Sequence, residues 1–188
     1  MFVRIKKRGE SGNYAYLVEN FWTNGSSRQR IKNYLGKVYD LKPIHEIQVI
    51  PNLDLNYNDL ILDMIKNELL RHGFNEKEGV YFLDKVFVNL NIGTIYDSKG
   101  RNVVIKINDG HLCDYYLQGL LGLRVSDEKV KGIQLANFLV SAGLKVRPES
   151  FVELYKKLPG PEKELIVDEP PLTKNEELDE FGLSKNRI

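Results

Sequence analysis

The sequence predicts an α+β fold: an N-terminal three-stranded antiparallel sheet, a linking helix, central β-hairpins and a C-terminal helical layer. Three observations predict it. Apolar and polar residues alternate along the first forty residues, the period of a strand with one wet face and one buried face. From 56 to 73 the apolar spacing becomes that of a helix. From 79 to 107 short β-rich runs return between turn residues, and helical spacing follows to 158.

The first strand is FVRIK. The loop KRGESGN leads to YAYLVENF, and the turn TNGSS leads to RQRIKNYLGKV. One face of this meander collects Val3 and Ile5, Ala15 and Leu17, and Ile31 and Leu35. The other carries Arg4 and Lys6, then Tyr14, Tyr16 and Val18, then Arg28, Arg30, Lys32 and Tyr34, so that two basic strands flank an aromatic one. Three short strands need a surface to pack on, which the following segments must supply.

The connection LKPIHEIQVIPNLDL is held extended by two prolines. The next helix puts Leu60, Ile61, Met64, Ile65 and Leu69 on one stripe, with Asn56 or Asn58 as its cap and Gly73 as its terminator. GVYFLDKVFVNL reads as a tight hairpin and GTIYDSKGRNVVIKI as another, turning from Asp97 to Gly100. Asn108 or Asp109 then caps a helix whose stripe is Leu112, Cys113, Tyr116, Leu117, Leu120 and Leu121. A helix from about Ser126 to Ala142 stops at Gly143, and Pro148 starts a last one that runs to Leu158.

Charge divides the chain more sharply than its net +1 suggests. Residues 1–41, a basic β module, hold eight Lys/Arg against three Asp/Glu. Residues 42–158, the α+β body, hold fifteen of each. Residues 159–188 hold four against eight and four prolines, which predicts a mostly disordered acidic tail. Such a tail is long enough to reach the basic head and compete there with a polyanion. The single cysteine fits a reducing compartment, the N-terminus lacks the apolar stretch of a signal peptide, and no apolar run has the length of a bilayer span. These features predict a cytoplasmic protein with no membrane partner.

Nothing in the pattern forms a complete catalytic or metal constellation, so no enzyme activity and no cofactor are predicted. His111 and Cys113, with Asp109 and Asp114, have no second cysteine pair to complete a zinc site. Cys113 shares the stripe of Tyr116 and Leu117 and reads as core; His45 and His72 read as isolated surface residues. A helix-turn-helix formed by 127–142 and 149–158 would turn Glu149 and Glu153 toward phosphates, which argues against it.

The head, YAYLVENF…SSRQRIKNYLGKV, resembles the opening segment of DDE-type insertion-sequence transposases. The resemblance is carried by Tyr14, Tyr16, Leu17, Val18, Glu19, Arg28, Gln29, Tyr34, Leu35, Gly36 and Lys37. It stops near residue 40: the hairpins that follow do not supply the RNase H-like sheet on which that family holds three carboxylates. What it implies is DNA contact ahead of a catalytic domain, without the transposition chemistry. The basic sheet face points the same way, because residues on one strand face repeat about every 6.8 Å, comparable to the phosphate spacing. The predicted function is therefore non-catalytic nucleic-acid binding, DNA in preference to RNA, through Arg4, Lys6, Arg28, Arg30 and Lys32 assisted by Tyr14, Tyr16 and Tyr34. The alternative is a protein–protein adaptor that uses residues 112–158 or the acidic tail.

Overall fold

The computed structural model describes residues 1–9, 12–23, 25–44 and 50–160. The acidic tail from 161 onward, with its expected disorder and its contact with the head, lies outside the described residues, as do Glu10, Ser11, Asn24 and the stretch 45–49 that includes His45.

The expected α+β architecture is present. Strands β1 (Phe2–Lys7), β2 (Asn13–Thr23) and β3 (Ser26–Asp40) form an antiparallel meander in chain order. Helix α1 (Tyr57–Arg71) follows, then β4 (Asn75–Lys77), β5 (Val80–Leu83), β6 (Val86–Asn89) and β7 (Thr94–Asp97) in a second antiparallel sheet. β8 (Val103–Ile107) and β9 (Gly110–Leu112) return to the first sheet, whose order is β1-β2-β3-β8-β9. Helices α2 (Asp114–Leu121), α3 (Glu128–Ala142) and α4 (Pro148–Lys157) complete the described chain.

Local chemistry sets most of these boundaries. Asn56 caps α1 by accepting a hydrogen bond from the Asp59 N–H, and Asp127 caps α3 by accepting from Lys129. Gly143 ends α3 in the left-handed region, and Pro148 occupies the first turn of α4. The β5–β6 hairpin turns at Asp84 and Lys85, with Asp84 at φ 51°.

The predicted hairpin over 93–107 is corrected. Its turn from Asp97 to Gly100 forms, but a single bridge, Tyr96 to Asn102, joins its arms. β7 pairs with β6, whereas β8 pairs in parallel with β3. A parallel neighbour requires a long crossover, and α1 with the second sheet supplies it. The helix expected to follow a cap at Asn108 or Asp109 is also corrected. Asn108 has φ 48° and turns the chain into β9, and α2 begins only at Asp114, with Cys113 at its N-cap.

One core joins the layers. Leu60, Ile61, Ile65 and Leu69 of α1 are fully buried, together with Val104, Ile105 and Ile107 of β8, Leu117 and Leu120 of α2, Leu135 of α3 and Leu154 of α4. The meander therefore rests on this core through Val3, Ile5, Ala15 and Val38. The free edge of β1 is partly covered, since the Val3 N–H donates to the Tyr116 hydroxyl at 3.3 Å.

His72, expected at the surface, is buried, with Nδ1 2.8 Å from the Glu68 carbonyl oxygen. It belongs to a polar knot in which the Glu68 carboxylate accepts from Asn108 at 2.7 Å and from Arg71 at 3.0 Å. Asn108 also donates to the Gly143 carbonyl at 2.7 Å, so the knot ties the end of α1 to the β8–β9 turn and to the end of α3.

Cys113 is buried as expected, and burial pushes its thiol up to about 11. Only the thiolate reacts, so at pH 8 a thiol reagent is expected to label the folded protein roughly a hundredfold more slowly than the unfolded chain. Equal rates in the two states would place the thiol at the surface.

Candidate nucleic-acid interface

The strand register decides which side chains share a face. Arg4 lies opposite Tyr16, Lys6 opposite Tyr14, and Tyr16 opposite Tyr34. These residues share one side of the sheet, the outer face, where Arg4, Lys6 and Tyr34 are exposed, Tyr14 is half-buried and Tyr16 is buried, with 9% exposure. Val3 and Ile5 lie opposite Leu17 and Ala15 on the inner side. Five of the eight predicted residues, Arg4, Lys6, Tyr14, Tyr16 and Tyr34, are thus brought together as expected.

Arg28 and Arg30 are not, which corrects the single basic face. The β2–β3 register shifts twice, leaving Leu35 and Lys32 without opposite partners. Each extra residue reverses the facing of everything beyond it. After the Lys32 bulge, Arg30 faces Glu19 and Arg28 faces Phe21, on the side opposite to Tyr34. The contacts agree: the Arg30 guanidinium lies 5.6 Å from the Phe21 ring centre and 2.8 Å from Glu19, whereas the Tyr34 ring meets those of Tyr14 and Tyr16 at 6.3 and 5.5 Å. Ile31 also changes side. It lies opposite Val18 and is 48% exposed, not inward as the alternation predicts.

Glu19 partly neutralises this rear group. Lys32 Nζ is 3.6 Å from the same carboxylate, and the hydrogen bond from Arg30, followed by the Lys32 charge, holds Glu19 below the usual carboxylate range. Both cations nevertheless remain substantially exposed.

The outer face is electrostatically simpler. Along β1–β3 it presents no carboxylate, because Glu19 and Asp40 fall on the other side of the register. Lys6 Nζ lies 5.4 Å from the centre of the Tyr16 ring, the Arg8 guanidinium 5.8 Å from Tyr14, and Lys37 Nζ 5.7 Å from Tyr39. Arg4 donates to the Gln29 side-chain oxygen. None of these four cations has a carboxylate within ion-pair distance among the described residues. Partial burial against its aromatic neighbours raises the Tyr34 hydroxyl, which stays protonated and able to donate at neutral pH.

Arg8, Lys37 and Tyr39 escaped the sequence reading. Arg8 follows the first strand, and Lys37 and Tyr39 reach the outer face only because the bulge at Leu35 intervenes. A glycine in mid-strand, Gly36 at φ 127°, was the available signal for that bulge. Arg101 could not be read from local pattern at all: it arrives from the β7–β8 turn, close enough for its charge to act on Tyr34 and Tyr39. Its guanidinium is committed to Asp97, donating at 2.9 and 2.6 Å.

Those hydrogen bonds hold the Asp97 carboxyl down to about 2. Its folded value lies below its unfolded one, so its contribution to stability is complete above about pH 4 and fades as pH falls toward 2. Thermal melts of the native protein are expected to weaken across that window, and Asp97→Asn should remove part of the acid dependence. An unchanged pH profile in the variant would contradict this assignment.

The residues considered for metal or thiol chemistry are dispersed into other roles. His111 lies opposite Lys106 on β9, Cys113 is in the core, and the Asp114 carboxylate accepts from the Ile95 N–H at 2.7 Å. Among the described residues no three His, Cys, Asp or Glu side chains are grouped to hold a metal ion, and no helix is long and apolar enough to cross a membrane. Comparison of the chain with family models, with curated proteins and with solved structures finds no match.

Proposed function

We propose that the protein binds nucleic acid, DNA in preference to RNA, through the outer face of β1–β3, and that it does so without catalysis. One observation carries the reading: Arg4, Lys6, Arg8 and Lys37 share a sheet face with four tyrosines and no strand carboxylate. Cations at strand spacing meet successive phosphates, and the exposed Tyr34 ring, backed by the half-buried Tyr14, offers a stacking surface and a hydroxyl donor. The likeness of the head to transposase opening segments supports DNA as the polyanion. Arg28, Arg30 and Lys32 take a lesser part, since they lie behind this face or in its bulge and two of them share Glu19.

The test is an anisotropy titration of labelled duplex and single-stranded oligonucleotides, DNA and RNA, with the full chain. Saturable binding that favours DNA supports the reading. Absence of binding to every oligonucleotide at low salt overturns it.

A second reading, a protein–protein adaptor, is favoured by a different surface. Val130, Ile133 and Val140 of α3 are exposed, the last two at 62% and 69%, and their spacing puts them along one side of the helix. Salt-tolerant capture of a protein partner, lost when Ile133 and Val140 are replaced by Ser, would support that reading.

A further inference from the structure

We propose that the distal part of the β2–β3 hairpin is a nucleic-acid arm whose tip residue, Trp22, stacks on a nucleobase. This rests on the DNA-binding reading of the outer face and extends it to a contact with the bases. β1 accompanies β2 only as far as Val18, and β8 joins β3 only from Lys37. Beyond the Val18–Ile31 row the ribbon has two strands and no third neighbour among the described residues, and every residue of β3 from Ser26 to Tyr34 is exposed. Five residue pairs, from Glu19–Arg30 to Thr23–Ser26, carry it about 17 Å from the last three-stranded row.

At the end of this ribbon stands the chain's single tryptophan, 77% exposed. Tryptophan is usually among the more deeply covered side chains, because its ring is the largest apolar surface a residue carries. Here it stands in the last row but one before the turn, opposite Ser27, on the face that carries Arg4 and Gln29. Charge selects the partner. The face bearing Trp22 has no carboxylate along the strands, and Arg28 and Arg30 stand directly behind it. A flat apolar ring on a ribbon whose other face carries Arg28 and the Glu19-paired Arg30 fits a ligand that offers an aromatic plane beside negative charge, which a nucleotide does.

The dimensions agree. Two strands about 5 Å apart, with their side chains, fit a major groove roughly 12 Å wide. Asn20 and Gln29 lie opposite each other on the Trp22 face, two pairs in from the tip, where carboxamides meet base edges. The base itself comes either from a duplex step or from an unpaired strand, and the two sources are separable by experiment.

Because Trp22 is the one tryptophan, emission excited at about 295 nm reports the tip alone. The full chain is titrated with unlabelled duplex and single-stranded DNA while this emission is followed, and anisotropy of labelled DNA is measured in parallel. The expected result is saturable quenching with the same midpoint as the anisotropy curve. Quenching by single strands alone assigns an unpaired base, and quenching by duplex assigns the groove; either supports the arm. Trp22→Ala should weaken binding about 5- to 100-fold with an unchanged melting temperature, and Trp22→Phe should recover most of the loss. Anisotropy binding with unchanged emission and an unaffected Trp22→Ala variant overturns the arm and leaves the outer face standing. No binding in either channel overturns both. A blue shift with phosphatidylserine-containing vesicles, without any response to DNA, also overturns both and makes the ribbon a membrane contact.

Discussion

Lys6→Glu combined with Arg8→Glu is expected to lower DNA affinity by at least roughly 60-fold near 0.1 M salt and to leave the fold intact. The figure follows from counterion release. Each phosphate neutralised contributes a factor of about 8 at that ionic strength relative to 1 M, and two such contacts are lost before any repulsion is added. The fold survives because both side chains are exposed and neither makes an ion pair among the described residues. The matched reversal, Arg28→Glu with Arg30→Glu, changes the same formal charge on the other side of the ribbon. It is expected to cost less than a tenth as much, since Arg30 already serves Glu19. Equal losses from the two pairs would show that total charge, not the outer face, governs binding. Circular dichroism on both variants separates lost contacts from lost structure.

Gly36→Ala is expected to be a strongly damaging small substitution in the sheet. Gly36 sits at φ 127°, where a residue with a Cβ is strained, and that Cβ would run into the Asn102 carbonyl and approach the Val103 Cα to 2.8 Å. Neither backbone group can yield without breaking the parallel β3–β8 pairing. Strain and displacement together are expected to cost about 3 kcal/mol, or roughly 6–12 °C in melting temperature for a chain of this size. Gly25→Ala is the control. Gly25 also has positive φ, at 72°, but a Cβ there meets nothing within 4 Å, so its cost should stay near 1 kcal/mol. If the two substitutions cost the same, the close β3–β8 approach is not what fixes Gly36. The position matters beyond stability, because the bulge beside Gly36 is what turns Lys37 and Tyr39 outward.

What the sequence could show was whatever is local. The α1 stripe from Leu60 to Leu69, the Asn56 cap, the Asp84–Lys85 turn and the stop at Gly143 are each decided by residues within a few positions of one another. The partner of β8 was not, because Asp40 and Lys106 are 66 residues apart when they pair. Only the unbroken apolar run of Val103–Ile105 hinted at a strand covered on both faces. The site was half legible for a related reason. Alternation places Arg4, Lys6, Tyr14 and Tyr16 correctly, but parity holds only until a strand gains a residue. The bulges at Leu35 and Lys32 therefore sent Arg28 and Arg30 to the rear and brought Lys37 forward. His72 was misread because its neighbours Glu68 and Arg71 look like solvent-facing charges, whereas Asn108, 40 residues from Glu68, draws the group into the interior.

The central claim is that phosphates meet a face carrying four cations with no carboxylate partner among the described residues. The dependence of DNA affinity on salt measures it most directly. With Arg4, Lys6, Arg8 and Lys37 each neutralising one phosphate, log affinity against log salt should fall with a slope of about −3.6 on duplex DNA, roughly a hundredfold loss between 50 and 200 mM. In Lys6→Ala with Arg8→Ala the slope should drop to about −1.8. An affinity indifferent to salt, or the same slope in both proteins, would contradict the account.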